Sequence, residues 1–406
     1  MKTKKDNNNF EKQNSQVFFN NKKLTKKEIL SKTKLEFYNQ IKQYQKQFKP
    51  TKEIEGFGSN AIVGEKNYPQ LKVYNISNEE KNNSFLNTQK IVKKNYSDII
   101  KLKAKNVLGN TNNIYVKKTN SKILEEVKNI YKAKKEVEFT SKFDKELKFN
   151  KPIINKLSGV LGTKNELKKI NLNENAKTSK QIEKYSTNDA KSKEAVIKLY
   201  KRKINESQII NLLSLGNFGV QLNKKIVPSR WAITAYDKII ETYLYKKILT
   251  YKIINKYEIY HHKDKGNEFI IILIPDTFTF ENYEFTPQGW QAIDYVSINN
   301  RLGYTDPNTA GGFFASKVAT FEHLKKTKKQ ASIIVLRQID NYEIPLGVVF
   351  VRESIREAMK NKIFSCQTKK ELEKYLNKFH KNHANKFKTS KTLKEIKKQK
   401  KLREYF

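Results

Sequence analysis

Apolar positions are unevenly spaced along the chain, and their pattern changes character several times. Up to about Pro50 they are sparse among Lys, Asn and Gln. Ile29, Leu35, Phe37, Ile41 and Tyr44 keep helical spacing, which predicts a helix within Leu24–Phe48 behind a disordered start. Ala61-Ile-Val-Gly64 and Leu71-Lys-Val-Tyr74 flank the Tyr68-Pro69 turn and read as two short strands. Ser84–Lys134 mixes helical and short extended pieces, and Asn150–Thr187 is polar and irregular, a loop-rich connector.

From Ala190 onward the pattern sharpens. Ala195–Tyr200 and Ser207–Leu215 read as helices, the second ended by Gly216. Ser229 is placed to cap a long helix over Arg230–Lys247, whose apolar face is Ala232, Ala235, Ile239, Ile240, Tyr243 and Leu244. Glu268–Ile274 is a buried strand with Thr277–Phe285 as its expected partner. Ala310–Leu324 is a helix opened by Gly311-Gly312. Ala331–Ile339 and Pro345–Val351 read as strands, the second leading into a helix at Glu353–Lys362. The alternation predicts a mixed sheet covered by helices, an α/β or α+β fold. The expected segments are a basic, partly disordered arm (1–50), two parts of a body (51–189 and 190–362), a basic helical tether (363–398) and a terminal peptide (399–406).

Charge and cysteine content narrow the function classes. The 406 residues hold 82 Lys+Arg against 41 Asp+Glu, a formal net charge of +41, which suits a nucleic-acid partner. Lys-rich composition also arises from AT-rich coding and from thermophily, so charge alone decides little. Cys366 is the single cysteine, which excludes an internal disulfide and a multi-Cys zinc site. The basic N-terminus is followed by no secretory apolar region, and the run Phe269–Pro275 is too short to span a bilayer. A soluble cytoplasmic protein without a membrane partner is expected.

The last eight residues, Gln399-Lys-Lys-Leu402-Arg-Glu-Tyr405-Phe406, read Q-x-x-L-x-x-Y-F, the pattern of a PIP box that binds PCNA-type sliding clamps. In a 3₁₀ turn residues three apart share a face, so Leu402 and Tyr405 point together beside Phe406 as an apolar plug. Gln399 offers both a donor and an acceptor to a polar subsite. The alternative is a Tyr-Phe end packed on its own domain.

Longer strings carry a family resemblance. They are Leu213-Ser-Leu-Gly-Asn-Phe-Gly219, Val227-Pro-Ser-Arg-Trp-Ala-Ile-Thr-Ala-Tyr-Asp237 and Ala310-Gly-Gly-Phe-Phe-Ala-Ser-Lys317. Gln330–Ile339 and Ile344–Arg356 continue the match, with a weaker one at Ser59–Gly64. These segments resemble the archaeal NreA DNA-repair family over about Gly56–Lys360. The resemblance implies a role in repair of DNA damage and brings no defined reaction. One branch of that family ends in a clamp-binding peptide. The chain departs from the family in lacking a Cys-rich N-terminal segment and in carrying Glu65-Lys66 where an Arg usually follows Val-Gly.

Arginine is scarce, so its positions stand out. Arg230, Arg301, Arg337, Arg352 and Arg356 read either as a phosphate-binding cluster for DNA or as pairs with Asp237, Asp294, Glu343 and Glu353 that tie the fold together. Gly311-Gly312 admits a phosphate at a helix start or simply a tight turn. Asp237, Asp294 and Glu353 form a candidate acidic site, with Mg²⁺ as cofactor only if the protein is a nuclease; no other cofactor and no resident metal are expected. His261-His262 and His380/His383 lack a third ligand type nearby in sequence and are expected as solvated surface. Cys366 is expected to be inert. Trp231, Trp290, Tyr283, Tyr295, Phe313 and Phe314 are expected in the core. The expected function is a DNA repair factor recruited to PCNA and binding DNA through a basic body. The alternatives are a DNA-processing enzyme (a nuclease or damage-specific hydrolase) and an RNA-associated basic protein, and whether the chain catalyses a reaction stays open.

Overall fold

A computed structural model describes residues 16–19, 22–25, 35, 39, 42–43, 51–147, 153–155, 159–174, 176–187, 190–297, 309, 311–340 and 346–398. The terminal peptide 399–406, Arg301, Glu343 and most of the expected helix at 24–48 lie outside the described residues.

Five strands of the first half close on themselves. They are β1 (Glu53–Val63), β2 (Val73–Asn78), β3 (Val107–Asn110), β4 (Glu138–Phe143) and β5 (Gly159–Leu172). The order is β3-β2-β1-β4-β5, and β5 returns to pair with β3 in parallel while the other pairs run antiparallel. This order, with its one parallel pair, is the connectivity of an OB barrel. The longest helices in the connections are α1 (Tyr96–Ala104) between β2 and β3, and α2 (Lys122–Lys132) between β3 and β4. Register places Val73 and Asn75 on the inner face, where the Tyr131 hydroxyl of α2 donates to Asn75 Oδ1 at 3.0 Å. A Cβ at Gly58 would stand 2.7 Å from Ile130 Cγ2, so α2 packs this closely only because position 58 lacks a side chain. β1 slips register between Gly58 and Asn60, which bends it and lets its two halves serve different neighbours.

The second half is built on a six-stranded sheet. Its strands are β6 (Tyr257–Asp264), β7 (Asn267–Ile274), β8 (Phe280–Phe285), β9 (Gln291–Val296), β10 (Ser332–Ile339) and β11 (Lys362–Cys366), in the order β9-β8-β10-β7-β6-β11. β7 and β10 carry continuous apolar runs, Phe269–Ile274 and Ile333–Leu336, because both of their faces are covered there. Phe269, Ile271, Leu273, Ile333 and Val335 belong to the large core. Ile270, Ile272, Ile274, Ile334 and Leu336 belong to a second, smaller core on the opposite face. The large core also takes in α3 (Glu206–Ser214), α4 (Ser229–Ile248), α5 (Gly311–Thr327) and α6 (Val348–Ala358), and it continues into the barrel. The smaller core is roofed by α7 (Lys369–Phe379), α8 (Lys381–Lys388) and α9 (Lys391–Lys398). The mixed sheet covered by helices is as expected. Among the described residues no helix is long and apolar enough to cross a membrane.

Several local expectations give way. The expected connector 150–187 contains the fourteen-residue β5 and a helix at Lys180–Thr187. Exposed lysines alternating with Thr163 and Leu167 hid the strand. Segment Pro345–Val351 is not a strand: α6 starts at Val348, because a short apolar run does not distinguish a strand from a buried helix turn. β7 pairs with β6 and β10, while β8 pairs in parallel with β10 instead. Ser229 does not cap its helix; its Oγ accepts from the Val63 amide at 2.8 Å and ties α4 to β1. The expected helical tether starts instead as strand β11, is helical from Lys369, and is folded onto the body. Leu372, Leu376, Ala384 and Phe387 are buried, and Glu281 accepts from Ser390 Oγ and from the Lys391 and Thr392 amides.

Candidate functional site

The loop between β1 and β2 carries Tyr68, which is 51% exposed. Its ring lies 5.5 Å from that of Trp231, 48% exposed, on the first turn of α4. The hydrogen bond from the Val63 amide to Ser229 holds the helix start against β1 and so fixes this pairing. Gln70 pairs with Tyr115, a further exposed aromatic, and the Val116 amide donates to the Pro69 carbonyl at 3.0 Å. Arg230 adjoins Trp231; its side chain is 66% exposed and has only a loose contact of 3.7 Å with Glu65. Lys66, Lys117 and Lys118 are exposed around the same loop. Three unburied aromatics amid cations form a surface suited to stacking bases beside phosphates. Trp231 was expected in the core, and so was Trp290, which is also exposed. A large aromatic is more often core than surface, and the sequence gives no sign of the loop that meets Trp231. Phe313, Phe314 and Tyr283 are buried as expected.

The candidate arginines Arg337, Arg352 and Arg356 lie inside. Arg352 is fully buried, its guanidinium shared by Asp237 and Glu206. Arg356 bonds Glu206 at 3.0 Å, Glu322 at 2.8 Å and Glu353. Tyr200 donates to Glu322 at 3.0 Å. Four carboxylates thus meet two arginines. Burial raises the Asp237 carboxyl to about 7, against the pull of Arg352. Burial would raise Glu206 too, but Arg352 and Arg356 together hold it below the usual range. Burial and the neighbouring Glu322 push the Tyr200 phenol up. A cavity of about 440 Å³ opens onto this network, lined by Glu206, Arg356, Tyr200, Tyr236 and the lysines 201, 203 and 325. Asp237, at zero exposure, does not line it.

Arg337 is paired as well, donating from Nε and Nη2 to Asn267 Oδ1 and from Nη1 to Glu284 at 2.9 Å. The Glu284 carboxylate stands at the start of α5, 3.0 Å from where a Cβ on Gly312 would lie. A Cβ on Gly311 would meet Val348 at the same distance. Close packing therefore accounts for the glycine pair, and a carboxylate holds the place at the helix dipole where a phosphate was considered. Asp237, Asp294 and Glu353 do not converge. Asp237 belongs to Arg352, Glu353 to Arg356, and Asp294 lies on β9 opposite Asn282. Of the candidate arginines, only Arg230 has both a described side chain and open solvent in front of it.

The histidines also depart from expectation. His261 on β6 and His380 at the α7–α8 joint approach the same Glu268 oxygen, and His383 is buried behind them. The sequence separates His261 and Glu268 from His380 by more than a hundred positions, so spacing gave no signal of their meeting.

Residues 30–290 match the family model described as Archaeal Nre, N-terminal, and residues 297–405 the model described as Archaeal Nre, C-terminal. The chain is 33% identical over 202 residues to "DNA repair protein NreA" of Archaeoglobus fulgidus, covering 48% of this chain and 51% of that protein. It is 33% identical over 212 residues to "DNA repair protein NreB" of the same organism, covering 50% and 54%. "DNA repair protein NreA" of Haloferax volcanii is 32% identical over 221 residues, covering 51% and 52%. The chain thus spans about half the length of the curated relatives it matches. No solved structure matches it.

Proposed function

Because the chain belongs to the archaeal Nre family, we propose that it is a DNA repair factor that holds single-stranded or opened DNA on its first barrel loop and is recruited to the sliding clamp PCNA by its C-terminal peptide. The observation that carries the reading is the solvent-exposed Tyr68–Trp231 pair beside Arg230. OB barrels bind oligonucleotides on the faces of strands 2 and 3 and on the loop between strands 1 and 2; Tyr68 stands on that loop and Trp231 meets it from the start of α4. The outer face itself is partly closed here. By register Ile76 and Leu108 point outward, yet both are buried, and α1 packs against β5 nearby. Half-buried Tyr74, with the Lys164 ammonium 5.7 Å from its ring centre, continues the accessible surface from the loop. The relatives' names supply the repair context. The net charge of +41 supplies a phosphate-driven affinity that falls steeply with salt.

Clamp recruitment rests on Gln399, Leu402, Tyr405 and Phe406. α9 (Lys391–Lys398), which immediately precedes this peptide in sequence, is docked on the body through Glu281. Titrating the host's PCNA with the full chain and with a Leu402→Ala/Tyr405→Ala double variant tests this. Binding lost in the variant with an unchanged melting temperature supports recruitment. Equal binding by both, or a lowered melting temperature in the variant, sinks it.

A second reading, a DNA-processing enzyme, draws on the cavity, where Arg356, Glu206 and Tyr200 face a space ringed by lysines. Against it, each of those three side chains is already engaged within the protein. Incubation with labelled single-stranded, branched and damaged DNA in Mg²⁺ separates the two, since product formation abolished by Tyr200→Phe would favour the enzyme.

A further inference from the structure

We propose that His261, Glu268 and His380 form a binding site for one zinc-class divalent cation, locking the C-terminal helices onto the sheet. This inference is independent of the DNA reading.

The site is assembled from rigid parts. β6 and β7 form a hairpin through Lys265-Gly266, both with positive φ, as a tight two-residue turn requires. In that register His261 pairs with Ile270 and Lys263 with Glu268. His261 and Glu268 are therefore diagonal neighbours on one face, the face toward the smaller core. His380 stands where α7 ends and α8 begins. Its amide donates to the Leu376 carbonyl at 2.7 Å, and its carbonyl accepts from Ala384 at 2.9 Å. Both helices thus fix the imidazole's position.

The distances fit a metal's coordination sphere. His261 Nε2 lies 3.0 Å and His380 Nδ1 3.4 Å from Glu268 Oε1, and the three donor atoms all lie within 4.8 Å of one another. Ligands at about 2.0–2.1 Å from zinc in a tetrahedron are separated by about 3.3 Å, so small rotamer shifts close the sphere. Among the described residues this is the one group of three His, Cys, Asp or Glu side chains with such geometry. Two imidazoles and one carboxylate suit zinc and similar first-row ions rather than Mg²⁺ or Ca²⁺, and three protein ligands leave a fourth position for water.

A second observation points the same way. His383, one turn along α8, is 2% exposed, yet its Nε2 has no hydrogen-bond partner. Its ring centre is 6.1 Å from that of His380, and it shares a hydrogen bond with the Glu268 backbone. It thereby buttresses both a ligand's backbone and a ligand's ring, as groups behind metal ligands do. Three of the chain's five histidines gather at this point. A plain Glu–His hydrogen bond would need one imidazole, whereas here two converge on one carboxylate oxygen.

The test is a Co²⁺ titration of the full-length chain after chelator treatment, read by visible absorption, followed by competition with Zn²⁺. The expected result is one Co²⁺ per chain with the intense bands of a four- or five-coordinate ion, displaced by Zn²⁺. Affinity should fall at least tenfold in His261→Ala, Glu268→Gln and His380→Ala. His262→Ala should bind as the wild type does, because residue 262 pairs with Phe269 and points to the other face. Zn²⁺ should raise the melting temperature of the wild type and not of the three ligand variants. Absence of a one-to-one Co²⁺ signal in the wild type overturns the proposal, whatever the variants do. So does undiminished binding by any two ligand variants, or an equal loss in His262→Ala. A ligand variant that fails to fold without metal is set aside, and the other two decide.

Discussion

Arg230 and Arg352 both lie in the segments that carry the family resemblance, yet in opposite environments. Arg230 stands in solvent beside an exposed aromatic pair, with one loose carboxylate neighbour. Arg352 has no exposed surface and is shared by two carboxylates that are themselves buried. An ammonium or guanidinium serves an external phosphate only if it is not already neutralised and the phosphate can reach it. By that criterion the surface patch suits the proposed DNA contact, and the internal centre ties α3, α4, α5 and α6 to one another. Breaking the internal centre should cost stability, and breaking the patch should cost affinity.

The largest effect is expected at Arg352. Replacing it with Ala leaves Asp237 and Glu206 buried without their common partner, a loss of about 3–5 kcal/mol. Denaturant unfolding should report this as a large fall in midpoint. DNA affinity of the variant that remains folded should be unchanged. A variant of normal stability that binds DNA poorly would place Arg352 with the surface patch instead.

Asp237 gives the next effect, and its sign is fixed by its shift. Its folded pKa of about 7 lies above the unfolded value, so the folded state holds the proton more tightly. The stabilisation is full below about pH 4 and is lost as pH rises through 7, on the order of 2–4 kcal/mol over that window. Glu206, shifted the opposite way, contributes stability above its unfolded value and loses it only under acid conditions. Urea midpoints between pH 5 and 8 should therefore decline less steeply in Asp237→Asn than in the wild type. Identical slopes would show Asp237 ionised throughout.

How much of this was legible in the sequence follows from the range of the interactions. Helix α4 and the apolar run of β7 were readable because periodicity and continuous hydrophobicity are local signals. β5 was not, because its outward lysines and two register slips mask the alternation. Arg352, Arg356 and Asp237 were singled out, but only the fold shows that carboxylates on three other helices neutralise both arginines. The aromatic patch joins residues more than 150 positions apart, and the histidine cluster joins a hairpin to a helix joint. Neither leaves a trace in spacing.

On the surface patch, Trp231→Ala and Tyr68→Ala should each weaken single-stranded DNA binding by about 1–3 kcal/mol, the value of a base stacked on an aromatic ring. Both side chains are about half exposed, so the change in unfolding free energy should be well below that of Arg352→Ala. Fluorescence anisotropy with a labelled oligonucleotide measures the first quantity and denaturant unfolding the second. Unaltered affinity in both variants would move DNA binding away from the first barrel loop.

The smallest effect should come from Arg230→Ala. The side chain is two-thirds exposed and makes one contact of 3.7 Å, so its removal disturbs nothing internal. If Arg230 meets a phosphate, the variant should bind all oligonucleotide sequences more weakly by a similar factor. The slope of log affinity against log salt should also become shallower by about one. A phosphate contact and a purely geometric role for Arg230 differ in that slope, since only removal of a phosphate contact changes the number of counterions released. An unchanged slope with lowered affinity would mean that Arg230 positions Trp231 and does not itself hold the DNA backbone.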